Sequence, residues 1–320
     1  MIVYLRGMDA VSGLLDGPRA REAFLLRAVL DSPWSLRIED EAPLALLAIG
    51  RGDAWVVPDD GTPERLGAGD VVIVRGPGHY TLADHPDTPP QVVVYPGQDC
   101  RTRRGESLAE AMRLGVRTWG HNPDGAVVML VGAYESQGEV GARLLGALPA
   151  VLVVRGNQWS SPLLALLADE MVKDEPGQQA VLDRLLDLVV IAVLRVWLAR
   201  PDAGAPPWYR AHGDPVVGPA LRLLHNNPAH PWTVAALARE AGVSRAALAR
   251  RFTKLVGEPP MSFLTNWRLA LAADLLCAPD ATVGSVASQV GYSTPYALSA
   301  AFKRVRGTSP KAHRLTAMVS

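Results

Sequence analysis

The chain has 320 residues, 48% of them hydrophobic and 20% charged, with 32 basic residues balanced by 32 acidic ones. At roughly 150 residues per domain this is enough for about two domains with real cores, and the composition excludes a disordered, collagen-like or disulfide-stapled protein. The two cysteines, Cys100 and Cys277, form no C-x-x-C pair, and no basic-then-apolar secretory leader is present, which points to a reducing cytoplasm.

Taken in chain order, the first part reads as short strands at 44–49, 54–58, 71–74, 80–83, 91–95, 126–131 and 151–154, separated by turn chemistry such as Asp59-Asp60-Gly61 and Ala68-Gly69-Asp70. Many short strands at this spacing predict a barrel or sandwich. After Pro162 the period changes to that of helices at 163–172 and 179–199. The second is apolar on nearly every side, through Leu182, Leu185, Leu186, Val189, Val190, Val193, Val196 and Trp197. Such a helix wants burial all round, so it is expected to lie between the barrel and a second copy of the chain, with Val189 and Val193 in the seam. Asp187 and Arg195 interrupt its apolar run, which is too short and too charged to span a bilayer, so no membrane segment is expected. Residues 201–217, rich in Pro and Gly and without periodicity, read as a linker.

Charge then separates the two ends. From residue 218 onward twelve Lys and Arg face four Asp and Glu, a surplus of eight, and residues 1–217 carry the compensating acidic excess. A basic third joined to an acidic two-thirds suggests that the C-terminal part meets a polyanion. The same part holds an internal repeat. Thr233, Val234, Ala238, Gly242 and Ser244 recur 49 residues later as Thr282, Val283, Ala287, Gly291 and Ser293; Leu248, Phe252, Gly257 and Pro260 recur 50 residues later as Leu298, Phe302, Gly307 and Pro310. Each copy is a short helix, a glycine turn and a second helix, the grammar of a helix-turn-helix. At 100° per residue Ala246, Arg250 and Thr253 face outward in the first copy and Tyr296, Ala300 and Lys303 in the second. An outward arginine fits a major groove, where it pairs bidentately with guanine. Between the copies, 260–277 has helical periodicity and at ~1.5 Å per residue spans ~27 Å, close to the ~34 Å between successive major-groove faces on one side of DNA.

Residues 218–320 resemble the DNA-binding domain of the AraC/XylS family of transcription regulators. The motifs are W-R-L-x-x-A-x-x-L-L from Trp267 and G-Y-S-x-x-x-x-L-x-x-A-F-K-R-x-x-G-x-S-P-x-x-x-R from Gly291. The resemblance implies groove-facing positions at Ala246, Ala249 and Arg250 and at Pro295, Tyr296, Ser299 and Ala300; Arg245, Lys254, Thr294, Lys303 and Arg304 complete the candidate DNA contacts. The family often has a basic residue where this chain has Ala300. The N-terminal part resembles the cupin-like sensor of one branch of the family, through Met8-Asp9-Ala10-Val11-Ser12 and the G-D-x-x-x-x-P-x-x-x-x-H element from Gly69 to His79, with Met8 a second candidate start.

The expected architecture is therefore α+β: a cupin-like β-barrel over 1–160, a helical dimerisation segment over 161–200, the linker over 201–217, and an all-α domain with two helix-turn-helix units over 218–320. The expected protein is a cytoplasmic, homodimeric regulator, not an enzyme, with double-stranded DNA as partner, RNA polymerase as a further candidate partner, and a small effector in the barrel beside Trp34, Trp55, His79, Tyr80 and Tyr95. No cofactor is implied. His79, His85 and His121 lack metal-ligand spacing, and no H-x-H occurs. The alternatives are a metal-dependent cupin enzyme fused to a DNA-binding domain, or a barrel that senses a protein partner or an oxidant, the latter through Cys100 beside Arg101, Arg103 and Arg104.

Overall fold

The computed structural model describes residues 20, 23–134, 141, 145–159, 161–200, 207–278 and 280–317. Two compact units are present, one over 19–137 and 148–203, the other carrying 204–320. The Met8–Ser12 motif and residues 201–206 of the expected linker lie outside the described residues.

The first unit is built from two sheets. One has the order β10-β11-β1-β12-β3-β6-β13 and the other β5-β4-β7-β2-β8-β9. The strands are β1 (Phe24–Leu30), β2 (Ser35–Ile38), β3 (Leu44–Arg51), β4 (Ala54–Pro58), β5 (Glu64–Leu66), β6 (Val71–Arg75), β7 (Tyr80–Ala83), β8 (Val92–Tyr95), β9 (Asp99–Thr102), β10 (Arg113–Gly115), β11 (Thr118–Gly120), β12 (Val127–Tyr134) and β13 (Val151–Val154). Period-two alternation sends Ala45, Leu47 and Ile49 of β3 and Ala54 and Val56 of β4 into a shared core with Trp34, Leu36, Val72, Leu82 and Met129. The two sheets close on this core as the flattened barrel of a cupin.

Strand β3 is buried on both faces, with Leu44, Leu46 and Ala48 at 1% exposure. The cause is a helical layer, α1 (Leu163–Met171) and α2 (Gln178–Leu198). Gly132 of β12 pairs with Leu46, and a Cβ at Gly132 would stand 2.6 Å from a Leu186 methyl group, so α2 lies directly on this face of the sheet. Polar ties fix the seat: the Tyr134 hydroxyl donates to Asp187 at 2.9 Å and the Gln179 amide to the Ala23 carbonyl at 3.0 Å. The expectation for this helix is corrected in one respect. Val189 and Val193 are fully buried within the chain and are not available as a seam between copies. The uncovered side of α2 carries Val181, Arg184, Leu188 and Arg195. The segment 161–200 is thus the outer layer of the barrel unit, not a separate body.

The second unit contains α3 (Pro207–Ala211), α4 (Val217–Asn226), α5 (Val234–Glu240), α6 (Arg245–Val256), α7 (Pro260–Leu276), α8 (Val283–Gln289), α9 (Pro295–Arg306) and α10 (Pro310–Ala317). Residues 207–217 correct the linker reading, because Ala211 and Val217 are buried in the same core as Leu221, Leu237, Leu248 and Phe252. A five-residue helix is too short to show periodicity. The Asp214 carboxylate, which accepts from the N–H groups of Val216 and Val217 at 2.9 Å, starts α4. A second core gathers Val286, Ala287, Leu298 and Phe302. Helix α7 belongs to both, giving Phe263 and Leu264 to the first and Leu269, Ala272, Ala273 and Leu276 to the second.

Candidate nucleic-acid interface and sensor cavity

The repeat is realised atom for atom in its caps. Thr233 and Thr282 accept from the N–H three residues on, starting α5 and α8. Gly242 and Gly291 then turn the chain at φ +66° and +83°, the left-handed region open to glycine. Ser244 caps α6 and Thr294 caps α9. The extra residue of the second copy is therefore in the turn, and Thr294, not Ser293, is the counterpart of Ser244. Gly257 and Gly307 end the two helices at φ +94° and +73°. Leu248, Phe252, Leu298 and Phe302 are fully buried, which fixes the rotation of each helix about its axis.

With that rotation set, Arg245, Ala246, Arg250, Thr253 and Lys254 are exposed on α6, and Pro295, Tyr296, Ala300, Lys303 and Arg304 on α9, while Ala249 and Ser299 are half-buried. Thr294 is exposed but its hydroxyl accepts from Ala297 N–H at 3.0 Å, and the Ser299 hydroxyl donates back to the Pro295 carbonyl at 2.8 Å, so both are partly engaged by their own helix. Tyr296 is 83% exposed, an unusual state for an aromatic ring. Two adjacent arginines behave differently. Arg251 makes a forked pair with Asp214 at 2.7 to 3.0 Å. Burial works against ionisation of Asp214, but the Arg251 guanidinium and two backbone N–H groups outweigh it and hold the carboxyl below its usual range. Arg250 makes no ion pair among the described residues. One arginine ties α6 to the turn that leads into α4; the other has no ion-pair partner among the described residues of the outward face.

The second copy is held against the first. The Arg268 guanidinium donates to the Pro228 and His230 carbonyls at 2.6 and 2.9 Å and lies 5.9 Å from the centre of the Tyr292 ring. A Cβ at Gly291 would approach Ala229 to 2.6 Å, so the glycine turn of the second copy sits on the loop that leads into the first. Arg268 is a part of the assembly that residue-by-residue reading missed. Its place in the W-R-L motif was its only signal.

In the barrel unit an apolar cavity lies between the sheets, with an empty volume of about 570 Å³ including the open space at its mouth. Leu36, Leu47, Leu82, Trp119 and Met129 line it, with Asp40, Gln98 and Cys100 at its polar edge. Of the five sequence candidates Tyr80 alone borders it. Trp34 and His79 border separate clefts. Trp55 alternates with the core residues Ala54 and Val56 and turns to the other side, its ring 6.5 Å from His85, and Tyr95 is 39% exposed. Asp40 and Gln98 were missed because neither sits in a periodic pattern; the Pro96-Gly97 turn that brings Gln98 back to Asp40 was the available signal. Cys100 does not have the environment of a reactive thiol. Burial, and then the neighbouring Asp99, push it up to about 11, whereas the nearby arginines were expected to lower it. Arg101 is instead engaged by Asp99 at 2.7 Å. Among the described residues no cluster of His, Cys, Asp and Glu is arranged to hold a metal ion.

The Gly69-Asp70 pair of the cupin-like element is architectural. Gly69 turns at φ +86°, and the Asp70 carboxylate accepts from Gly67 and Gly156 N–H at 3.1 and 2.8 Å and pairs with Arg155 at 3.0 Å.

Comparison with known proteins agrees with both units. A cupin family model matches residues 9–199 and a helix-turn-helix domain model matches 237–316. A putative AraC-like transcription regulator of Streptomyces lividans is 31% identical over 315 residues, covering 96% of this chain and 98% of its own length. The chain belongs to the AraC family of transcription regulators. The HTH-type transcriptional regulator AlkR of Acinetobacter baylyi is 28% identical over 96% of this AraC-family chain and 99% of its own. The DNA-binding domain of AdpA, solved in complex with a target DNA, is 34% identical over 32% of this chain and 93% of its own, with a TM-score of 0.31. The matched segments put the helical layer α1 and α2 inside the cupin region of this AraC-type regulator and the repeat, from Leu237 in α5 to the end of α9, inside its helix-turn-helix region. No helix among the described residues is long and apolar enough to cross a membrane.

Proposed function

We propose that this regulator reads duplex DNA with the outward faces of α6 and α9, is governed by a small effector held in the cupin cavity, and works as a cytoplasmic homodimer without catalysing a reaction. The observation that carries the reading is the contrast on α6 between Arg251, committed to Asp214, and Arg250, exposed at the outward centre of a capped helix without an ion-pair partner among the described residues. An exposed arginine at that place has the geometry for bidentate pairing with guanine. The effector reading rests on the apolar cavity and its short polar edge, the usual make-up of a small-molecule site. The dimer reading rests on Val181, Leu185 and Leu188, an i, i+4, i+7 set on the uncovered side of α2, with Val181 and Leu188 nearly half exposed. Selection of binding sites from genomic fragments with the purified full chain tests the central claim. A shared motif among the retained fragments is expected; equal retention of all fragments overturns it.

A further inference from the structure

The polar edge of the barrel cavity has a definite sign. Among the described residues Asp40 is the single charged group of its lining, and no described lysine, arginine or histidine faces it there. Its carboxylate accepts from Ala42 N–H at 3.1 Å and from the Gln98 side-chain amide at 2.9 Å, so both oxygens are aligned as acceptors. Gln98 reaches Asp40 from the turn between β8 and β9 and holds φ +60°, a left-handed conformation that a non-glycine residue keeps only where its surroundings impose it. Tyr80 supplies an independent observation. It is 95% buried, borders the cavity, and its hydroxyl makes no hydrogen bond to a described protein group. Burial, and then the charge of Asp40, push its ionisation far above the ordinary range, so the hydroxyl stays protonated with its oxygen lone pairs available. The ring is buried, but its oxygen is not sealed among the partnerless buried atoms of the barrel, so it is open to a donor from a ligand. Here it stands in the field of a carboxylate at the end of an otherwise hydrocarbon-lined space.

We propose that the cavity binds an apolar amine, its hydrocarbon body between the sheets and its protonated nitrogen donating to the Asp40 carboxylate and the Tyr80 oxygen. This rests on the reading that the barrel holds the effector, and names the chemistry of that effector. A protonated amine supplies the donors that Asp40 and Tyr80 both accept, and it neutralises the one charge of the lining. An alcohol brings a donor without the charge. A carboxylate or phosphate places like charge beside Asp40 with no cation among the described lining residues to offset it, which is a strong bar in an apolar setting.

Octylamine, octanol and octanoate titrated calorimetrically into the full chain test this. The expected order is octylamine tightest by at least tenfold over octanol, with octanoate weakest. Asp40→Asn is expected to remove the advantage of the amine while leaving octanol binding within about threefold. Tyr80→Phe is expected to weaken amine and alcohol together, and its thermal midpoint, read beside that of Asp40→Asn, shows that the barrel still folds. Should Asp40→Asn fail to fold, the wild-type order and Tyr80→Phe decide alone. Equal affinity for octylamine and octanol, or tightest binding of octanoate, overturns the amine assignment but leaves the cavity as an effector site. Failure of all three to bind overturns both.

Discussion

Arg250 and Lys303 sit on equivalent faces of two copies of one unit, yet their chemistry separates their roles. A guanidinium presents a rigid fork that matches guanine O6 and N7, whereas an ammonium is a point charge suited to phosphate. The repeat partner of Arg250 is Ala300, which has no hydrogen-bonding side chain, so the second copy is expected to contribute more affinity than base discrimination. Arg250→Ala is expected to weaken the specific site about ten- to hundredfold, because ~1 to 3 kcal/mol of discrimination is at stake, and to relax preference at one or two base pairs. Lys303→Ala is expected to weaken all DNA alike and to lower the salt slope by about one. Titrations of both variants on matched and shuffled sites at two salt concentrations separate these outcomes, and a change of base preference from Lys303→Ala reverses the assignment. Asp70 shows the other use of a charged residue. Burial opposes its ionisation, but Gly156 and Gly67 N–H and Arg155 outweigh that and hold its carboxyl below the usual value. A depressed folded-state value means stability that is fully present above about pH 4 and is lost as pH falls through that lower value. Asp70→Asn is expected to cost about 1 to 3 kcal/mol at pH 7, the worth of hydrogen bonds to a charged group. Urea unfolding at pH 7 and again near pH 2 to 3 checks it: the gap between wild type and variant shrinks in acid.

At the scale of the element, α2 carries two faces that a helical wheel alone does not distinguish. Val189 is fully buried beneath the sheet and Leu188 is 48% exposed, one residue and 100° apart. Leu188→Asp is expected to lower self-association at least tenfold with little change in thermal midpoint. Val189→Asp places an unpaired carboxylate in the core, and is expected to unfold the barrel unit. Sedimentation together with a thermal melt distinguishes them; a Leu188→Asp protein that associates as tightly as wild type removes this face as the seam. The sequence was legible where a pattern had one cause. Strands β4, β7 and β13 read correctly because their alternation or turn signals are local, and the two helix-turn-helix copies because their caps, glycines and core residues recur. Strand β1, FLLRAVL, was missed because a strand buried on one side by the core and approached on the other has no alternation to read. Strand β9 owes its existence to pairing with β8, a partner that no local pattern names. The amphipathic state of α2 was hidden for a related reason: what covers a face is a tertiary fact.

Across the DNA-binding unit the controlling part is α7, whose 17 residues span about 25 Å at 1.5 Å each. Its first half is packed in one helix-turn-helix core and its second half in the other, so the two reading helices are joined by a rigid rod and not by a flexible tether. Arg268, bound to the Pro228 and His230 carbonyls, and Gly291, set against Ala229, oppose rotation of one copy about that rod. A rigid connection carries a cost and a benefit. When both sub-sites face the same side of the duplex, about one helical turn apart, the second contact is made without further ordering. When they do not, the rod cannot adjust, and one reading helix is left without its groove. Inserting five base pairs between the sub-sites of a selected site rotates one of them by about half a turn, and is expected to lower affinity by at least tenfold, to the level of a single sub-site. Ten inserted base pairs restore the facing but lengthen the span beyond the reach of α7, so affinity is expected to stay low. A tethered pair gives the opposite result, recovering at ten. Mobility-shift titrations on the three spacings decide between rod and tether, and recovery at ten base pairs overturns the rigid reading.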